Sequence, residues 1–266
     1  MLPVISVSPS MGAAELRDAI QAGLAPKKAA IVRGYFSEAE VENGLQGLRR
    51  SFDASRDQAT IGETPDQVMT NFQKMNIGGI FNTRIYRPRF LRAIYNPIWE
   101  EDIYGLRGLF CKFAGLRNAI LDYAPGYAIE TIEEDGSWTA SRLQHYPTGG
   151  GFLVEHVDSV LASVHDWAGY KQFLQFLLPL SRKGRDFTRG GGYVCIDGEK
   201  IIIDDLMQPG DLAIYSGLIA HGVDEIDPHK PLQLGVDSGR VVAFANLYKD
   251  FRKNAAMDRR YREIPA

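Results

Sequence analysis

The residues in this chain best placed to do chemistry are two histidines and an aspartate: His156 and Asp158, separated by Val157, and His221 further on. In an extended chain, side chains at i and i+2 leave the same face, so the His156 imidazole and the Asp158 carboxylate can converge on one ion. His221 follows the apolar run DLAIYS (211–216) and lies between Gly217 and Gly222, close to a strand end, where barrel mouths hold sites. Two imidazoles and one carboxylate on one face of an octahedral ion leave three positions open. That donor set suits a non-haem ferrous centre, which must seat a co-substrate and dioxygen together. On spacing alone, the pair reads equally well as a strand-end histidine beside a solvated aspartate. Of the other histidines, His145 has the wrong parity for a cavity and is expected to pack or face solvent, and His165 and His229 lie in polar stretches.

The elements that must hold these groups fall into two parts. Residues 1–125 read as a mostly helical buttress and substrate lid. Leu16, Ile20 and Leu24 recur at helical spacing. Ser37 with Glu40 makes a capping box, Phe36 and Val41 stand at staple positions, and Val41, Leu45, Leu48 and Phe52 mark one buried face. Residues 53–82 read as loop or short helices. Asn96-Pro97 is expected to open a long helix running to about Tyr123, with Glu100, Glu101 and Asp102 in its first turn, where the helix dipole favours negative charge.

From about residue 126 the character changes to short β-rich runs punctuated by Gly, Pro and Asp: YAIETI, SWTASRLQHY, FLVEHV, QFLQFLLPLS, GYVCI, KIIID, DLAIYS and RVVAFANLYK. Many short strands at this spacing predict a sandwich or jelly-roll over 126–250, with 251–266 as a tail. The expected fold is therefore mainly β with N-terminal helices, an α+β arrangement within one domain of 266 residues.

Bulk properties exclude other classes. Lys and Arg total 30 against 33 Asp and Glu, a net charge of −3, so nothing global attracts nucleic acid or an anionic membrane. The two cysteines, Cys111 and Cys195, form no CxxC, which argues against a disulfide scaffold or a structural zinc site and predicts a cytoplasmic, thiol-reducing compartment. The start of the chain lacks a basic region and long apolar run, and no apolar stretch approaches membrane-spanning length. Gly149–Gly151 and Gly190–Gly192 lack the spacing of nucleotide loops and read as turns. Oligomeric state leaves no signal in the residues.

Four segments in order carry a resemblance. YPTGGGFLVEHVDS (146–159), GGGYV (190–194), PGDLAIY (209–215) followed by HGV (221–223), and RVVAF (240–244) resemble the corresponding motifs of prolyl-4-hydroxylase-like and related iron(II)/2-oxoglutarate-dependent oxygenases; IVRGYFSEAEV (31–41) is similar to a helix entry in the same superfamily. The resemblance implies a double-stranded β-helix (jelly-roll, cupin-like) core buttressed by helices. It also implies Fe(II) held by His156, Asp158 and His221, with dioxygen and 2-oxoglutarate as co-substrates and succinate and carbon dioxide as products. A dicarboxylate deep in a barrel needs a cation at its far end, and Arg240, with two parallel donors and a permanent charge, is the expected one. It stands further beyond His221 than is usual in the family, an enlarged turn (223–239) accounting for the excess, and Lys230 in that turn is its rival. Tyr146 resembles the family tyrosine that reaches the co-substrate. Gln144 and Arg142 share its parity and are expected to line the same cavity.

With a carboxylate at 158, hydroxylation is the expected outcome, since halogenating relatives replace it with a small residue; desaturation, cyclisation and epimerisation share the same hydrogen abstraction. The substrate is expected to be a small metabolite, an amino acid or another carboxylate among the candidates, with Arg142 and, in the arginine-rich segment 82–92, Arg84 and Arg87 as candidate contacts. A peptide or nucleobase substrate is the alternative within the superfamily. A non-catalytic jelly-roll binding protein is the alternative outside it.

Overall fold

The computed structural model describes residues 2–8, 10–60, 62–78, 88–159, 166 and 173–253. In chain order the elements are β1 (Val4–Ser6), α1 (Ala13–Lys27), β2 (Ala29–Arg33), α2 (Glu38–Ser51), α3 (Pro65–Val68), β3 (Phe72–Gly78), β4 (Arg89–Tyr95) and α4 (Arg107–Leu121). They continue with β5 (Ser137–Tyr146), β6 (Gly151–His156), β7 (Leu174–Pro179), β8 (Gly191–Ile196), β9 (Glu199–Ile202), β10 (Leu212–Ser216), β11 (His221–Ile226) and β12 (Arg240–Lys249).

Hydrogen-bonded neighbours form two runs. One is β1-β2-β10-β7-β12-β5-β4 with β3 added on β4; the other is β6-β11-β8-β9. They join where Arg89 and Phe90 of β4 meet Leu153 and Phe152 of β6. From β5 onward the chain passes back and forth between the runs, with β5, β7, β10 and β12 in the first and β6, β8, β9 and β11 in the second. That alternation is a double-stranded β-helix, the jelly-roll expected of the short β runs.

Strand alternation sorts the side chains of the larger run into two cores. Toward the helices, Leu143, Leu178, Ile214 and Ala243 join Ile20 of α1, Leu45 of α2 and Phe113 of α4. Toward the interior, Trp138, Tyr146, Leu177, Val242 and Phe244 meet Val194 and Val223 of the facing run. The helices therefore close one face of the sheet and leave the space between the runs for chemistry. Helix α2 starts as its sequence predicts: Ser37 accepts from the Glu40 amide and Glu40 reaches back to the Ser37 amide.

Three local expectations change. The helix expected from Asn96 begins at Arg107; its acidic residues lie ahead of the first turn, and the Asp102 carboxylate caps it by accepting from the Leu106 and Arg107 amides at 2.9 and 3.2 Å. Residues 72–78 and 89–95 form an antiparallel pair of strands, so the described residues among 1–125 carry four strands beside their helices. YAIETI is turn, not strand. Turn bonds from the Tyr127 and Ile129 amides to the Ala124 and Gly126 carbonyls hold it, with side chains adding to them: Glu133 accepts from the Ala128 amide, and the Asn118 amide donates to the Tyr127 carbonyl.

The β3–β4 pair escaped notice because a charge is buried in it. Arg92 is 1% exposed; its guanidinium pairs with Asp57 at 2.8 Å and contacts His145 Nδ1 and the Leu234 carbonyl. Asp57→Ala would leave that charge without its counter-ion, a loss of about 3–5 kcal/mol, measurable as a lower urea midpoint. His145 is fully buried, and desolvation of its charged form holds its pKa down to about 4, with Arg92 adding to the fall and the Ser238 carbonyl opposing it. The unfolded chain, with an ordinary histidine near pH 6.5, then takes up a proton the native state refuses. This contribution is whole above about pH 6.5 and is lost as pH falls toward 4, at up to about 1.4 kcal/mol per unit. Urea titrations across that window should show His145→Gln less acid-sensitive than the parent.

Candidate metal centre

Strand pairing places the chemistry. β6 ends on His156 and β11 begins on His221, and the two stand opposite each other in the antiparallel ladder. Just past the end of β6, the Asp158 amide donates to the Gly217 carbonyl at 2.8 Å, which ties the segment to the turn after β10. His156 Nε2 then lies 3.6 Å from Asp158 Oδ1, and His221 Nε2 lies 3.4 Å from Asp158 Oδ2. One donor atom from each of the three falls within 4.8 Å of the others, so a single ion can be held by all.

The surroundings orient each ligand. His156 Nδ1 is 2.8 Å from the Val154 carbonyl and His221 Nδ1 is 2.9 Å from the Ile219 carbonyl. A hydrogen on Nδ1 in both rings leaves the Nε2 lone pairs to face the common point. Asp158, 4% exposed, accepts from Gln175 Nε2 at 2.8 Å, and the Asn246 amide in turn donates to Gln175 Oε1. Asn246 Oδ1 accepts from the Phe176 amide at 3.2 Å, so the chain of amides is anchored in the β7–β12 pairing. Two neutral donors in series hold the carboxylate without competing for its charge.

The three groups open into a cavity of about 410 Å³ between the strand runs, within the range of roughly 300–1,000 Å³ usual for small-molecule sites. Trp138, Arg142, Gln144 and Tyr146 line it from alternate positions of β5. Arg240, opposite Tyr146 in the β5–β12 ladder, lines it too. Its guanidinium is 1% exposed, and Nε donates to Asp204 Oδ2 at 2.8 Å, yet Nη1 and Nη2 have no partner. Such buried donors lose water without replacement unless a ligand arrives. Gly192 makes room for them: a Cβ there would come within 2.6 Å of Nη2. The Tyr146 ring lies 5.5 Å from the guanidinium, its hydroxyl donates to Gln144 Oε1 at 2.8 Å, and burial pushes its pKa up to about 12. Lys230, on the loop between β11 and β12, is away from the cavity wall and ion-pairs with Asp227 at 2.8 Å.

Arg84 and Arg87 lie outside the described residues, as does His165. His145 packs on the far side of β5, and Glu155, beside His156 in sequence, turns away to Cys195 Sγ at 3.1 Å. Sequence reasoning passed over Gln175, Asn246, Asp204 and Glu63, and had Arg89 only as one of the four arginines of segment 82–92. Asn246 carried a signal, since it has the parity of Arg240. Asp204 reaches Arg240 from a distant turn and had none.

No protein-family model matches the chain, and no curated protein matches its sequence. Solved structures do resemble it. A prolyl hydroxylase from Trichoplax adhaerens, in complex with a hypoxia inducible factor oxygen degradation domain peptide fragment, aligns with a TM-score of 0.55 over 92% of this chain and 93% of its own, at 12% identity. A protein from Caulobacter crescentus described as of the 2OG-Fe(II) oxygenase family aligns with a TM-score of 0.52 over 94% and 88%, at 13% identity. At these identities the likeness establishes a shared fold, the double-stranded β-helix.

Removing the Gln175 amide takes away one support of the Asp158 carboxylate. Calorimetric titration of Gln175→Ala with Mn(II) should show affinity for the ion reduced about 10–100-fold; unchanged affinity would mean the amide chain does not orient the ligand.

Proposed function

We propose that the chain is a non-haem iron(II), 2-oxoglutarate-dependent oxygenase that oxidises a small molecule, with hydroxylation as the outcome. The observation that carries this reading is the pairing, in one cavity, of a two-histidine, one-carboxylate donor set with a buried guanidinium whose Nη1 and Nη2 have no partner. His156, Asp158 and His221 would hold the iron, and three donors leave room for a bidentate co-substrate and dioxygen. Bound there, ferrous iron supplies the oxidising chemistry, coupled to breakdown of 2-oxoglutarate to succinate and carbon dioxide.

The protein's own groups do the rest. Arg240 offers two parallel N–H donors to the far carboxylate of 2-oxoglutarate, a match in geometry as well as charge. Asp204 fixes the rotation of that fork through Nε, and Gly192 keeps the approach clear. Tyr146 and Gln144 stand beside it; with its pKa near 12, Tyr146 stays protonated and able to donate at neutral pH. The apolar walls, Leu153, Leu177 and Val223 among them, exclude water and so strengthen each of these contacts. No described helix is long and apolar enough to cross a membrane.

The substrate preference rests on the cavity. Its volume suits a small molecule beside the co-substrate, and the chain's net charge of −3 offers no broad attraction for nucleic acid. The Trichoplax relative carries a peptide, so peptides belong in the substrate screen.

The test is turnover of 2-oxoglutarate to succinate by the iron-loaded protein. Arg240→Ala should raise the KM for 2-oxoglutarate by about 100-fold or more, the value of a lost bidentate pair, with little change in iron affinity. Lys230→Ala should leave that KM near the parent value. If Lys230→Ala has the large effect instead, the assignment of the carboxylate anchor is wrong; if no succinate forms under any condition, the oxygenase reading fails.

A further inference from the structure

Beyond the metal ligands and Arg240, the cavity wall carries two more guanidinium groups, Arg89 from β4 and Arg142 from β5. The Nε of each is buried without a hydrogen-bond partner, and among the described residues neither is held by an ion pair. Arg142 has aromatic neighbours instead: its guanidinium carbon lies 4.9 Å from the Phe244 ring and 6.0 Å from the Tyr248 ring. Those contacts favour a cation, and the Tyr95 hydroxyl is a further partner of the guanidinium, yet Nε is left without an acceptor. Glu63 favours the charge on both electrostatically, but its hydrogen bonds go elsewhere: it accepts from the Tyr95 hydroxyl at 2.8 Å and from the Asn76 amide at 3.4 Å.

Burial lowers the Arg89 pKa, Glu63 opposing the fall and Arg142 adding to it, so the two cations repel each other. Burial also pulls on Arg142, but Tyr248, Tyr95 and Glu63 outweigh it and its pKa is raised, which keeps it charged. On each of them a buried Nε without an acceptor is costly. The expense falls when an anion enters between them, and a planar carboxylate matches the donor fork of a guanidinium.

We propose that Arg89 and Arg142 bind a carboxylate of the primary substrate, so that the enzyme oxidises a small carboxylic acid, amino acids included. The proposal rests on the oxygenase reading but concerns a separate part of the cavity. Arg240 receives the co-substrate; this pair selects what is oxidised. Trp138, Tyr95 and Phe244 give the rest of the acid an aromatic surface.

The experiment uses matched pairs of probes: free amino acids and small mono- and dicarboxylic acids against their primary amides, with phosphate monoesters and an acidic peptide as further arms. Thermal unfolding is followed on the Mn(II)-loaded protein under argon with saturating 2-oxoglutarate, so that the Arg240 end is filled. Succinate formation is followed on the iron-loaded enzyme. At least one acid should raise the melting temperature and stimulate succinate formation, with its amide about 100-fold poorer in kcat/KM. Arg142→Gln should erase the discrimination between acid and amide mainly through KM, and Arg142→Lys, which keeps the charge but not the fork, should restore part of it. Amides equal to acids, a response confined to phosphate esters or the peptide, or no acid-dependent shift at all would each overturn the proposal. Failure of 2-oxoglutarate itself to shift the Mn(II)-loaded protein would instead count against the oxygenase reading, so the two failures are distinguishable.

Discussion

The antiparallel register between β6 and β11 is the constraint on which the rest depends. It sets His156 opposite His221, and only that pairing lets two imidazoles reach the same point from different parts of the chain. A slip of one residue would turn one ring to the other face of the sheet and remove the site. The register is held by the apolar interior between the two strand runs and by the Asp158 amide bonded to the Gly217 carbonyl. At Gly217 a side chain would meet the Phe173 ring at 2.2 Å, so glycine keeps that tie close. The ligand set is thus a product of sheet geometry, with local hydrogen bonds left only the task of setting ring rotation.

A second constraint follows from placing charge in the same interior. Among the described residues, three arginines stand around one cavity, and the fold satisfies them unequally. Arg240 has one strong partner, Asp204, and two vacant donors; Arg92, outside the cavity, is fully engaged by Asp57, His145 and a carbonyl. The contrast is informative. A buried guanidinium with every donor used is part of the scaffold, whereas one with donors left over and aimed into a cavity is built for a ligand. Arg89 and Arg142 share with Arg240 a buried donor left over, the Nε of each.

Much of this was legible in the residues. The short β runs after residue 126 carried the jelly-roll, since turn residues recur at the spacing such strands need, and the pair at 156 and 158 with the later His221 pointed to the three groups that the fold brings within 4.8 Å of one another. Parity along SWTASRLQHY separated Arg142, Gln144 and Tyr146 from His145, because strand alternation is a local rule that the final fold obeyed. What failed to show were features whose cause is non-local. β4 contains the buried Arg92, and a charge in an alternating strand reads as a solvated face unless its partner Asp57, distant in sequence, is known. The helix expected at Asn96 begins only at Arg107, because Asp102 caps the backbone ahead of it and the preceding residues are taken into β4 and the turn after it. The supports of the site, Gln175 for Asp158 and Asp204 for Arg240, are contacts between strands and turns that no spacing rule brings together.

The central claim is that His156, Asp158 and His221 hold one ferrous ion with room left for 2-oxoglutarate to chelate it. Anaerobic titration of the protein with ferrous iron and 2-oxoglutarate, followed by visible absorption, tests it most directly. The account predicts a weak charge-transfer band that needs both components, saturates at one iron per chain and is lost in His221→Ala. Iron bound without any such band, or a band undiminished when His221 is removed, would contradict it.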